Sequence, residues 1–303
     1  MISIIICSRD KNTLITVTNS VNKSIGVPYE IIAIDNSEGK YGICKAYNLG
    51  AAQAKYDIFC FMHEDITFET QEWGQNVVNH LEDDSVGLIG VVGADPMNKM
   101  PCTFAQSLLK IEANIIVYSN NQKYCNHLNA TINVADISII KLVTGIDGVF
   151  MCTRRDVYQH YKFDEVTLNG FHGYDADYSL QVLQKYKVCV VFDVLMHHYS
   201  SGHADKTFID SYLKLCNKWR KELPISYKQY TKQDKIQNHW KVMAVFINKL
   251  IELNYSYGFV LKQYFHFSFN NFFKIKPFLS ILKNIILSRI YLQIKNNVVV
   301  KTH

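Results

Sequence analysis

The 303-residue sequence predicts an α/β fold, a mostly parallel sheet with helices on both faces, followed by a helical C-terminal extension. Three observations predict it. Short β-branched runs alternate with segments of helical periodicity through the first part of the chain, as βα units joined by right-handed crossovers do. The runs are apolar almost throughout, as buried strands are. Beyond about residue 235 the pattern turns helical, aromatic and basic, with no second strand-rich region.

Taken in order, strands are expected over 3–7 (SIIIC), 29–35 (YEIIAID), 57–63 (DIFCFMH) and 86–94 (VGLIGVVGA). Helices are expected between them over 11–23, 42–55 and 71–82. The opening MISIIICSRDK meets charge after too few apolar residues for a signal peptide, so it is expected to be the first core strand. Residues 98–145 show no clear period. A strand at 148–153 (GVFMCT), a helix at 174–186 and a strand at 187–194 (KVCVVFDV) follow. An amphipathic helix over 203–223 should end at Pro224. These patterns divide the chain into a domain over 1–235 and a helical region over 236–303.

Composition excludes several classes. No apolar run reaches the ~20 residues of a spanning helix. The eight cysteines are scattered without a CxxC pair, which is the usage of a reduced, cytoplasmic protein and not of a disulfide framework or zinc ribbon. Net charge is +5, but residues 240–303 hold nine Lys/Arg against the single acid Glu252, so the remainder carries −3. A basic, aromatic tail without a span predicts a helix lying on the inner face of the cell membrane. The alternative is a helical subdomain packed on the core or on a second subunit of a homo-oligomer. Nucleic acid is disfavoured, because no RNP-like or zinc-finger signature accompanies the tail aromatics.

The stretch FMHEDITF (61–68) ends an apolar strand on His63-Glu64-Asp65. Adjacent charges belong where water or a cation can meet them, and open α/β sheets bind ligands at their carboxyl edge. The first strand leads into CSRDKN without glycine, which excludes a dinucleotide fingerprint, and no P-loop is present. The second strand ends at Asp35, an acid able to accept hydrogen bonds from a ribose or base; Asp35-Asn36-Ser37 equally suits a turn. His63, His172, His197 and His198 would suit a zinc hydrolase, but no HExxH or similarly tight spacing supports one.

In order, IIAIDNSEG, AYNLGAAQAKYDIFCFMHED and GFHGYDADYSLQ resemble the family 2 inverting glycosyltransferases of the GT-A fold. Asn48, Gly50, Ala54, Asp65, Asp175, Asp177, Ser179 and Leu180 fall on that pattern, over roughly residues 1–215. GIDGVFMCTRRDVY and HHYSSGH look closest to a bacterial glycosyltransferase-like branch. Two positions depart from it: His63 begins a motif that is usually Asp-x-Asp, and Tyr174 stands where an acid is usual. NKWR (217–220) only faintly matches the signature of processive synthases.

The resemblance implies transfer of one sugar from a nucleotide donor, a UDP-sugar, to a glycan or lipid-linked acceptor. It implies Mn²⁺ or Mg²⁺ to neutralise the diphosphate. Asp65 is the expected ligand, and one of His197 and His198 is expected to complete the metal shell or contact the diphosphate. Cys7, Ser8, Arg9, Asp35, Asn36, Asn48, Glu64 and Asp65 are expected around the nucleotide-sugar, with Glu64 in an outer shell or near the ribose. Asp175 is expected to be the general base. Asp147, Gly148, His172 and Tyr174 are expected to face the acceptor. Asp177 should be a structural acid complementing the helix dipole. The departures at His63 and Tyr174 support an alternative, a non-catalytic binding module of the same fold.

Overall fold

The computed structural model describes residues 1–102, 110–118, 139–200, 202 and 204–300, with backbone alone over 290–300. The chain runs β1 (Ile2–Ser8), α1 (Lys11–Ser24), β2 (Tyr29–Asp35), α2 (Ile43–Ala51), β3 (Ile58–Met62), β4 (Ile66–Phe68), α3 (Trp73–Leu81), β5 (Val86–Gly90) and β6 (Val92–Asp95). It continues through β7 (Lys110–Ala113), β8 (Ile115–Val117), β9 (Ile140–Leu142), β10 (Gly145–Ile146), β11 (Phe150–Arg154), α4 (Arg155–His160), α5 (Tyr174–Val182), β12 (Lys187–Val191) and β13 (Met196–His198). Four helices complete it: α6 (Lys206–Lys218), α7 (Lys232–Glu252), α8 (Tyr257–Ser268) and α9 (Ile275–Val300).

Seven strands form the central sheet in the order β2-β1-β3-β11-β5-β12-β9. β2, β1 and β3 are parallel, with Ser8 opposite Asp35 and Ile6 opposite Met62, so their carboxyl ends lie side by side. β5 and β12 form a second parallel pair. β11 runs antiparallel between the two groups and bonds to both β3 and β5, while β9 is an antiparallel edge. The sheet is therefore mixed, which alternation of strands and helices alone did not reveal. The expected strand over 86–94 breaks at Val91; its second half, β6, joins a separate three-stranded sheet with β7 and β10. The segment without a period holds β7, β8 and β9, strands of three or four residues that are too short to show alternation. Cys125 lies outside the described residues, and the other seven cysteines are free thiols.

Both faces of the sheet are covered, which explains the nearly continuous apolar strands. Alternate residues go to opposite cores: Ile2, Ile4, Ile6, Cys60 and Met62 meet Val17, Val21, Trp73 and Val77 of α1 and α3. Ile5, Phe59, Phe61 and Met151 meet Tyr47, Tyr178, Tyr212 and Phe246 of α2, α5, α6 and α7. The boundary expected at 235/236 falls within α7, which opens on a Thr231–Asp234 capping box and buries Val242, Met243, Phe246 and Leu250 in that second core. Among the described residues, no helix is long and apolar enough to cross a membrane.

Candidate active site

The His63-Glu64-Asp65 triplet bends between β3 and β4 at the carboxyl end of the sheet, and its side chains part in two directions. Glu64 turns toward the β1–α1 connection, where it accepts hydrogen bonds from Ser8 Oγ (2.7 Å), the Arg9 amide (2.9 Å) and the Asp10 amide (3.2 Å). It is a latch on the loop that follows the first strand. His63 and Asp65 turn the other way.

β13 supplies their third neighbour. It pairs antiparallel with β4, His198 opposite Ile66, and the Tyr199 amide donates to the Asp65 carbonyl at 2.9 Å. His198 Nε2 thereby lies 3.4 Å from Asp65 Oδ1, and His63 Nδ1 lies 3.8 Å from the same oxygen. One ligand atom from each of His63, Asp65 and His198 falls within 4.8 Å of the others. Yet His198 Nε2 is buried and makes no hydrogen bond, although orphaned buried nitrogens are costly. Two imidazole nitrogens and a carboxylate oxygen converging around an unsatisfied atom fit a divalent cation. Burial, reinforced by His198, lowers the pKa of His63 and keeps it neutral, the form that ligates. Burial alone would raise the Asp65 carboxyl, but the adjacent His198 and His63 outweigh it and hold it below the usual carboxylate value.

The orientation of His63 is set from behind. Its Nε2 is 2.9 Å from the hydroxyl of Tyr174, leaving Nδ1 toward Asp65. Metal-binding histidines are commonly held by such a partner on the second nitrogen. Tyr174 is buried against Tyr47, their ring centroids 5.7 Å apart. Its position requires glycine at 148, because a Cβ there would overlap the Tyr174 ring and hydroxyl.

Asp175 follows on the first turn of α5. Its carboxylate accepts hydrogen bonds from the Ala176 amide (2.8 Å) and the Gly148 amide (3.1 Å). Burial first, and then the charge of Asp147, raise its pKa to about 7 despite those donors. A carboxyl balanced near neutrality suits proton transfer at neutral pH. Asp147 itself accepts from the Val149 amide at 2.9 Å, and its charge acts on both His63 and Asp175. The cluster and Asp175 thus share one end of the sheet.

The Glycosyltransferase like family matches this chain over residues 3–238. The chain belongs to that family. Its fold is also that of GalNAc-T7, solved with UDP, GalNAc and Mn²⁺, at a TM-score of 0.52 and 14% identity. That likeness covers 73% of this chain and 49% of GalNAc-T7, so the chain spans about half the length of that protein. Further similarity is found to the mannosyltransferase PcManGT from Pyrobaculum calidifontis, solved with GDP-Man and Mn²⁺ (TM-score 0.44, 11% identity, covering 95% of this chain and 86% of that one). TarS 1–349 from S. aureus, solved with UDP-GlcNAc, scores 0.41 at 12% identity, covering 95% and 81%. No curated protein sequence matches the chain.

Within this glycosyltransferase-like GT-A fold, several residues do other work than expected. His197 points away from the cluster: its ring nitrogens meet Tyr118 Oη at 3.0 Å and Glu69 Oε2 at 3.0 Å, because adjacent strand residues face opposite ways. The Asn36 amide pins its own turn, donating to the Tyr41 carbonyl and accepting from the Tyr41 amide, both at 2.9 Å. Asn48 ties α2 to the 158–165 segment through Tyr158, the Phe163 carbonyl and Glu165. Tyr174, expected to face the acceptor, is buried and hydrogen-bonded to His63. His172 turns toward α6, 3.9 Å from Asp205 and against the ring of Phe208. Cys7, Ser8, Arg9 and Asp35 do lie together at the carboxyl edge, with Arg9 and Asp35 exposed. Sequence reasoning had left His63 outside the ligand set. The signal that could have included it was the pair of departures, His63 and Tyr174, which prove to be hydrogen-bonded to each other.

Proposed function

We propose that the protein is an inverting glycosyltransferase that moves a sugar from a UDP-sugar to a glycan or lipid-linked acceptor in bacterial surface polysaccharide synthesis. The observation that carries this reading is the meeting of the His63–Asp65–His198 cluster and a carboxyl titrating near neutrality at one end of the sheet. Membership of the family and the fold shared with a protein solved with UDP, GalNAc and Mn²⁺ support it. The two departures that favoured a non-catalytic module form one hydrogen-bonded unit within the cluster, which also supports the enzyme.

On this reading His63, Asp65 and His198 hold a divalent cation, which when bound neutralises charge building on a departing diphosphate. Two imidazoles favour Mn²⁺ over Mg²⁺, which prefers oxygen ligands in strict octahedral geometry. Cys7, Ser8, Arg9 and Asp35 border the nucleotide. Asp175 takes the proton of the acceptor hydroxyl as that oxygen bonds to the anomeric carbon. The bond from this carbon to the phosphate oxygen breaks, its electron pair leaves on the diphosphate, and attack from the opposite face inverts the centre. The Gly148 amide holds the Asp175 carboxylate, the charge of Asp147 raises its pKa, and on this reading both residues border the acceptor.

Thermal unfolding with a panel of nucleotide-sugars, with and without Mn²⁺, tests the proposal. Stabilisation should require both components, and a ligand at a hundred times its Kd adds ~2.7 kcal/mol. Absence of both stabilisation and nucleotide release for every donor would overturn it. In Mn²⁺ titrations, Asp65→Ala, His198→Ala and His63→Ala should each weaken binding by at least about tenfold. Tyr174→Phe keeps the ring packing but removes the hydroxyl, and should weaken Mn²⁺ binding by ~10–100-fold. Unchanged affinity in Tyr174→Phe would show that its hydroxyl does not orient His63.

A further inference from the structure

Between the 96–100 segment, α6 and the loop after it, and α7 and α8 lies a cleft of about 1330 Å³ lined by none of the catalytic cluster's residues. Lys99, Arg220, Lys221, Lys228, Lys235 and Lys262 line it, with no Asp or Glu. None of these six forms an ion pair with a described residue. The nearby acids are engaged: Asp95 accepts from the Tyr227 amide and Tyr230 hydroxyl, and Asp234 closes the Thr231 capping box.

An apolar surface adjoins the cleft. α8 lends Lys262 and His266 to the cleft while exposing Phe265. Phe265, Phe269 and Phe273 are 40%, 63% and 39% exposed, yet they touch ring to ring at 6.3 and 5.6 Å. Ile275, Leu279 and Ile286 extend the surface along α9; their spacing gathers them on one face beside the exposed Lys276 and Lys283. Single exposed apolar residues need no explanation, but a continuous patch does.

We propose that this face sits on an anionic lipid bilayer. Phe265, Phe269, Phe273, Ile275, Leu279 and Ile286 enter the headgroup boundary, and the cations of the cleft take lipid phosphates. Charge selects the bilayer over other occupants. After Glu252 the chain has no acid, so pairing this face with the same face of a second copy would bring like charges together. A soluble anion would neutralise the cleft but leave the phenylalanines in water.

Flotation of the full chain at low salt tests this, using vesicles of phosphatidylcholine alone and of equal parts phosphatidylcholine and phosphatidylglycerol. Partition into the anionic vesicles should exceed that into neutral ones by more than about tenfold. Phe269→Ser/Leu279→Ser/Ile286→Ser changes only exposed positions, so unfolding should be unchanged while partition falls about tenfold or more. Arg220→Glu/Lys262→Glu should abolish the preference for phosphatidylglycerol. Mn²⁺-dependent stabilisation by UDP-sugar should be the same in all variants, so failure here leaves the catalytic reading standing. Four results would overturn the proposal. One is no flotation of the wild type, and another is equal flotation of the variants. The third is a dimer, dissociated by the triple-serine variant, in place of vesicle binding. Stabilisation by glycerol phosphate without flotation would likewise overturn it, assigning the cleft to soluble phosphates.

Discussion

Asp175→Asn should lower sugar transfer by ~10²–10⁴-fold while leaving donor binding intact, the loss usual for a general base. The amide matches the carboxylate in shape and its oxygen can still accept the Gly148 or Ala176 amide, so α5 keeps its place. It cannot take a proton. In the wild type, transfer should rise with pH through about 7, where the carboxyl ionises, and the variant should lack that rise. Stability moves in the opposite direction. The folded pKa lies above the unfolded one, so the native state holds a proton that the unfolded chain has released between about pH 4 and 7. Native stability should fall across that window and level off above it. Asp175→Asn removes this fall, so the variant should unfold no earlier than the wild type at pH 8. A variant with wild-type turnover would place the base elsewhere.

Asp177→Ala should cost about 1–3 kcal/mol, because it removes a buried acceptor and leaves the Trp219 indole N–H and the Gln181 amide without it, while Lys218 keeps Asp164. Asp177 is 1% exposed and accepts hydrogen bonds from Trp219 Nε1 at 2.7 Å, Lys218 Nζ at 2.9 Å and Gln181 Nε2 at 2.8 Å. It fastens α5, which carries Asp175, to the end of α6. Lys218 also bonds Asp164 at 2.7 Å, and that contact helps bring the Asp164 carboxyl down to about 2 in spite of burial. The melting temperature should fall by about 5 °C. The helix-dipole role expected from sequence is worth only ~0.3–1 kcal/mol. A loss confined to that smaller range would mean that Lys218 and Trp219 re-form their contacts without the acid.

The difference between those two figures shows where the sequence stopped being legible. The acid at the start of α5 was visible as a structural residue; its partners, on a helix some forty positions later, were not. Similarly, the strand end at His63-Glu64-Asp65 was evident, because an apolar run ending in adjacent charges has few places to go. That Glu64 parts from its neighbours could also be read from spacing, though a bend rather than strand alternation separates them. What spacing could not say was that Glu64 reaches back to the Ser8-Arg9-Asp10 loop.

Local pattern determined the strands, their helices and the two-sided cover of the sheet, because burial imposes a period on neighbouring residues. Order and spacing of motifs pointed to the glycosyltransferase family. Tertiary structure alone decided the antiparallel β11 between β3 and β5, and the pairing of β4 with β13. That second pairing chooses His198 and rejects His197, though the two are adjacent and chemically identical. The reason is strand pleat: register selects which of two neighbouring side chains faces Asp65, and register is a property of the partner strand, absent from either segment read alone.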